Sequence, residues 1–150
     1  MAHFAKLDAN NFVEEVIVVN DSDTGGGNLD TESVGIAVCQ NHWKETFGVD
    51  GTNWKQTSYN NNFRGNYAGV GCVYMTGVRT LGVASTDIFI RRQPAASWSI
   101  GINTATWYPP DNPGNAPALT DAQRTDNKSY VWNESNYQSN PATAWVLTSP

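Results

Sequence analysis

The sequence predicts a mainly β, α+β fold: an amino-terminal hairpin and sheet with one helix, followed by extended carboxy-terminal β-hairpins and a Pro-rich arm. Three observations carry this. A β-branched run at Phe12–Val19 follows a turn cluster at Asp8-Ala9-Asn10-Asn11. One segment, from Asp30 to Gly48, has helical spacing and end signals. Four of the six tryptophans stand from residue 98 onward, in short segments separated by turn-forming residues. Asn, Gly, Ser and Thr supply much of the polarity, since charged residues are only 15% of the chain. These types favour turns and short extended segments over helix interiors.

His3–Leu7 alternates, meets the turn and continues into Phe12–Val19, which ends at Asn20-Asp21-Ser22-Asp23. A hairpin followed by a loop is the natural reading. Gly25-Gly26-Gly27-Asn28 extends the loop. Asp30 or Thr31 can then cap a helix whose first turn holds Glu32 and which stops at Gly48. Val34, Ala37, Val38 and Phe47 are the expected apolar face, packed on the hairpin. Thr52–Ser58 alternates as a further strand. Tyr59–Val73 mixes rings with Asn and Gly and reads as a curved loop or irregular strand.

A strand pair is expected at Cys72–Met75 and Asp87–Arg91, joined by a Gly- and Thr-containing connection, and Pro94 interrupts the extended pattern just beyond it. Two aromatic-bracketed hairpins come next, one over Ser97–Tyr108, the other joining Tyr130–Glu134 to Ala142–Val146. Cross-strand aromatic pairs contribute roughly 0.2–1 kcal/mol each and hold a ribbon with little core. Pro109–Pro117 is too proline-rich for a helix or central strand and reads as a linker or arm. The expected organisation is a compact α+β unit over 1–75 and an extended region over 76–150 with its Pro-rich linker at 109–117.

With 150 residues, one full domain or two small ones fit. The net charge of −5 and the scattered Lys and Arg argue against nucleic acid as a partner. No apolar run approaches the roughly 20 residues of a bilayer span, so no membrane role is expected. The first residues lack the apolar core of a signal peptide, and a product assembled in the cytoplasm is the default. Cys39 and Cys72 are expected to be reduced and buried as small apolar residues.

Chemistry is sparse, and no enzyme activity is expected. The only histidines are His3 and His42, and no hydrolase motif surrounds a Ser or Cys. Cys39 and His42 share a helical spacing suited to zinc, but no second pair completes a four-ligand site. Gly25-Gly26-Gly27 and Gly69-Val70-Gly71 lack the remaining residues of phosphate-binding loops. Asp21, Asp23, Gly26 and Glu32 fall at positions 1, 3, 6 and 12 of a calcium-loop template, yet Gly25 stands where an oxygen ligand belongs. An acidic loop leading into a helix cap is the commoner reading. No cofactor is expected. Trp98, Trp107, Tyr108, Trp132, Tyr137 and Trp145 are the interface candidates, because aromatic anchors dominate protein interfaces. For any single Trp, packing in a hairpin or core is commoner still, and stacking on a sugar is the third reading.

The opening Met1-Ala2-His3-Phe4-Ala5-Lys6-Leu7-Asp8 and the strand Val16-Ile17-Val18-Val19-Asn20 form one distinctive group of strings. Trp54-Lys55-Gln56-Thr57-Ser58-Tyr59-Asn60 and Arg64-Gly65-Asn66-Tyr67-Ala68-Gly69-Val70-Gly71 form another. Together they resemble a family of small virion structural proteins of marine cyanophages and related environmental phages. The resemblance is close over 1–75, weaker through Ile88-Phe89-Ile90, Pro94 and the tryptophan hairpins, and departs from the family pattern after Pro109. It implies a particle component present in many copies, foremost a capsid decoration or cement protein. The expected partners are then the major capsid protein or other virion proteins and further copies of the chain, with the virion as its location. The alternative is a tail or fibre component that binds carbohydrate or a receptor.

Overall fold

The computed structural model describes residues 1–78, 86–101 and 104–150. The fold is α+β and mainly β, as the sequence predicts, and its residues group into two compact units. The first comprises Met1–Arg92 with Ile102–Thr106, the second Gln93–Gly101 with Trp107–Pro150. The first unit thus runs past Met75 and takes in the whole following strand pair. The Gly- and Thr-containing connection expected within that pair falls largely outside the described residues, as do residues 102–103 of the first tryptophan hairpin.

In the first unit, β1 (Ala2–Leu7), β2 (Val13–Val19) and β3 (Asn53–Thr57) form an antiparallel sheet in the order β2-β1-β3. The turn between β1 and β2 is fixed by the Asp8 carboxylate, which accepts from the amides of Asn10 at 2.8 Å and Phe12 at 2.9 Å. Asn11 takes a left-handed φ of 65° there, a conformation Asn tolerates better than most residues. A register shift between Lys6 and Leu7 leaves Glu14 as an extra residue of β2.

Both faces of the central strand are covered, which explains why β1 buries Ala2, Phe4, Ala5 and Leu7 rather than alternate residues. On one face Phe4 joins Val19, Cys39 and Trp54, with Ile36 and Trp43 packed against them. On the other, Ala5 and Leu7 meet Val13, Ala68, Tyr74 and Phe89. The second cluster draws on the hairpin of β4 (Val73–Val78) and β5 (Thr86–Ile90) and on the irregular 58–72 segment.

A helical turn, α1 (Asp21–Thr24), precedes the long helix α2 (Glu32–Phe47). The long helix begins and ends where the sequence predicts: Gly48, at φ 69°, donates its N–H to the Lys44 carbonyl as a left-handed cap. Its inner face differs from the expected one. Gly35 and Cys39 are buried, whereas Val34 is 49% and Phe47 58% exposed. The cause is close approach at the smallest side chains, since a Cβ on Gly35 would lie 2.0 Å from Cζ of Phe4. That contact selects the stripe Gly35, Cys39, Trp43 and rotates Val34 and Phe47 outward.

The second unit holds two short antiparallel hairpins. They are β6 (Ser99–Ile100) with β7 (Trp107–Tyr108), and β8 (Ser129–Trp132) with β9 (Trp145–Thr148). Two short helices, α3 (Asp121–Thr125) and α4 (Glu134–Ser139), add to the one helix expected. Thr120 and Gln123 form a reciprocal capping box for α3, and Asn133 caps α4 by accepting from the Asn136 amide. These are strong local signals that outweigh the turn-rich composition around them.

The Phe4–Gly35 contact gives a direct test of the layer packing. Gly35→Ala should destabilise the chain by about 1–3 kcal/mol through overpacking, despite the better helix propensity of Ala. Urea denaturation of this variant against exposed-face Ser33→Ala checks it. Equal midpoints would show that the helix stands further from the sheet.

Candidate functional site

The six aromatic interface candidates all lie in the second unit, and four of them form one cluster. Trp132 on β8 stands directly opposite Trp145 on β9, with ring centroids 5.2 Å apart at 82°. Trp98 meets both, at 5.7 Å and 88° to Trp132 and at 6.0 Å and 72° to Trp145. Tyr137 of α4 leans on Trp132 at 5.2 Å. Edge-to-face contacts of this kind add about 0.5–1.5 kcal/mol each beyond area burial. Trp107 and Tyr108 form β7 and sit opposite Ile100 and Ser99, so Trp98 packs with the other hairpin's tryptophans instead of facing Trp107.

Polar contacts fix the cluster from its rim. The Glu134 carboxylate accepts from the Trp132 indole N–H at 2.8 Å, from the Ser97 hydroxyl at 2.8 Å and from the Gln138 amide at 3.0 Å. The Trp132 bond, followed by that of Gln138, holds the Glu134 carboxyl below the usual carboxylate range. The Trp145 indole donates to the Gly114 carbonyl at 2.9 Å. The segment 109–117 therefore contains no helix or strand, as expected, and is tied to the cluster at Gly114. Trp98 Nε1 is buried without a hydrogen-bond partner among the described residues.

Ala144 is the one fully buried residue among the described residues of this unit. Tyr108 at 42% and Val131 at 51% exposure present apolar surface. Such a unit is held by rings and rim bonds and has almost no sealed core.

The calcium-loop residues do not converge. Asp21 pairs with the amino-terminal ammonium of Met1 at 2.7 Å, and Asp21 and Asp23 lie in the helical turn α1. Glu32 forms a two-pronged ion pair with Arg64 and accepts the Gln56 amide at 2.8 Å. Among the described residues no three His, Cys, Asp or Glu side chains are grouped to hold a metal ion. Cys39 points into the core, where burial pushes its thiol up to about 12, while His42 is exposed. They do not make a zinc pair. Cys39 and Cys72 are both free thiols, Cys39 buried and Cys72 partly so.

Two further features lie in the first unit. An open depression of about 410 Å³ is lined by Lys6, Asp8, Glu14, Asp50 and Asn53 among others, with Lys6 paired to Glu14 and set over the Trp43 ring. His3 stacks on Tyr59 at 5.5 Å and meets the edge of Tyr67 at the same distance. No local pattern announces this trio, because its members are 56 and 64 residues apart in pairs with His3 (59 − 3 and 67 − 3).

Comparison of the chain with protein-family models, with curated proteins and with solved structures finds no match.

Desolvation, with the nearby amino-terminal charge, lowers the His3 pKa from its ordinary 6.5. The folded state then holds this proton more weakly than the unfolded one. Stability attributable to His3 is complete above 6.5 and falls as pH drops from there to the lowered folded value. Urea midpoints at about pH 7.5 and about pH 5 should therefore differ more for the natural chain than for His3→Gln. Equal pH dependence would contradict the partly buried placement of the ring.

Proposed function

We propose that this chain is a phage virion structural protein that decorates the capsid lattice, with no catalysis of its own. The observation that carries the reading is the second unit. Four of its aromatic side chains are gathered in one cluster, its core is nearly absent, and its exposed Tyr108 and Val131 offer apolar contact area. A unit built this way gains most when its surface is covered by another protein, and aromatic anchors are the residues that dominate such contacts. The first unit, by contrast, seals side-chain clusters on both faces of its central strand. The resemblance of the amino-terminal strings to small cyanophage virion proteins supplies the setting: assembly in the host cytoplasm and residence on the particle, with the major capsid protein or other virion proteins as partners.

A carbohydrate-reading role on a tail or fibre is the less favoured alternative. Sugar platforms present free ring faces, whereas Trp98, Trp132 and Trp145 turn faces and edges to one another. The indole N–H groups of Trp132 and Trp145 are also taken, by Glu134 and Gly114.

Electron microscopy of intact particles, with quantitative mass spectrometry of their protein content, tests the proposal. Density for the chain on the outer capsid surface, in copy number comparable to the lattice protein, is the expected outcome. Absence from purified particles, or presence at the tail alone, would refute it.

A further inference from the structure

The three-stranded sheet has two outer edges, and the chain treats them differently. Along β3, Gln56 directs its backbone N–H and C=O away from β1. The N–H donates to the Glu32 carboxylate at 2.8 Å, and the C=O accepts from the Arg64 guanidinium at 3.0 Å. At the start of the same edge, the Thr52 carbonyl accepts from the Gln40 side chain at 3.0 Å. Side chains thus occupy outward sites on either side of Trp54, at Thr52 and Gln56, and interrupt the edge that a further strand would use.

The edge of β2 has no such cover beyond its first residue. In an antiparallel ladder the N–H and C=O of one residue point the same way, and the direction alternates along the strand. Because Gln56 points outward opposite Phe4, Phe4 bonds to its other neighbour, Ile17, and Ile17 points inward. Val16 and Val18 therefore direct their N–H and C=O groups away from the sheet. Val13 is satisfied by Cys72 and Gly71, with bonds of 2.8 and 2.9 Å. Among the described residues, nothing bonds to the outward groups of Val16 and Val18. Val18 is also 51% exposed; the features that guard this edge, the bulge at Glu14 and the charges of Glu14 and Glu15, lie at its start and leave Val16–Val19 without charge or Pro.

We propose that β2 pairs antiparallel with β2 of a second copy of this chain, joining two three-stranded sheets across a twofold axis at Ile17. The register of β2 against itself argues for a second copy as the occupant. Val16 faces Val18 of the other copy and Val18 faces Val16, which satisfies the outward backbone groups of both residues in each chain. Ile17 then faces its own counterpart. In this register Glu15 stands opposite Val19, and Glu14 opposite Asn20, so no carboxylate faces another. Glu14 is in addition drawn to Lys6 of its own chain. The contact is β-branched throughout its centre, the composition that favours cross-strand packing. This pairing adds a partner and a surface to the virion reading and is tested on the purified chain, so particle composition and solution mass fail independently.

Mass measured by sedimentation or light scattering from about 1 to about 500 μM spans the range for a four-bond strand contact. It should rise about twofold for the natural chain. Val18→Lys should weaken association at least tenfold while leaving the far-ultraviolet circular dichroism unchanged. As an independent measurement, Ile17→Cys in a Cys72→Ser background should form a covalent dimer with oxidised glutathione. The facing Cα atoms of a non-hydrogen-bonded pair are about 4.5 Å apart, within disulfide reach. Val70→Cys in the same background is the exposed control and should not cross-link. A constant monomer mass, undiminished association of Val18→Lys, or equal cross-linking of the Val70→Cys control would overturn the proposal.

Discussion

The ion pair of Glu32 with Arg64 organises the first unit. Arg64 takes a left-handed φ of 56° in the irregular segment, and its carbonyl accepts the Phe89 amide of β5 at 2.9 Å. Its guanidinium reaches Glu32 at the start of α2 and the Gln56 carbonyl of β3, and lies 5.4 Å from the Tyr74 ring of β4. Helix, sheet and second hairpin are thereby connected through one residue. Both partners are largely withdrawn from water, with side-chain exposures of 13% and 17%, so removing either leaves a poorly solvated charge. Breaking such a pair typically costs about 3–5 kcal/mol, far more than a surface pair contributes. Tyr74 extends the network by donating to Asp87 at 2.5 Å. That bond holds the Asp87 carboxyl below its ordinary range, while burial pushes the Tyr74 hydroxyl up.

Much of this fold is legible in the residues, and the parts that are not have identifiable causes. Asp8 and Asn11 mark the first turn because their side chains can bond the nearby backbone or tolerate positive φ, and Gly48 marks the helix end for the same conformational reason. Periodicity misassigns the face of α2 because it weights Val34 and Phe47, whereas packing is decided by Gly35, which has no side chain to score. The capping residues Thr120 and Asn133 are present in the sequence, but Asn133 stands beside Trp132, whose place in a bracketed pair favours a hairpin reading. The opposition of Trp132 and Trp145 is readable from the bracketed pattern, whereas the recruitment of Trp98 to that pair depends on tertiary folding. No sequence rule links Glu32 to Arg64 across 32 positions, so the calcium-loop template can claim a glutamate whose oxygens are already occupied.

The two units illustrate different routes to order. The first seals large side chains on both faces of a central strand, with Phe4, Trp54, Phe89 and Ile88 almost wholly buried. The second relies on ring-to-ring contacts, rim hydrogen bonds and local caps, and leaves most of its side chains in partial contact with water. The first unit is thus organised by sealed clusters and the second by contacts among rings at its surface. The structural signature of that division is the concentration of aromatic residues where fully buried ones are scarce.

A half-buried charge pair covers one edge of the sheet at Gln56, whereas among the described residues nothing bonds the outward groups of Val16 and Val18 on the other, and the proposed pairing depends on this asymmetry. Residue-resolved amide hydrogen exchange on the dilute chain tests it most directly. The expected result is a slowly exchanging Gln56 amide, held by the Glu32 carboxylate, beside rapidly exchanging amides at Val16 and Val18, with Gln56 losing its protection in Glu32→Ala. A Gln56 amide that exchanges as fast as that of Val18 in the natural chain would contradict it.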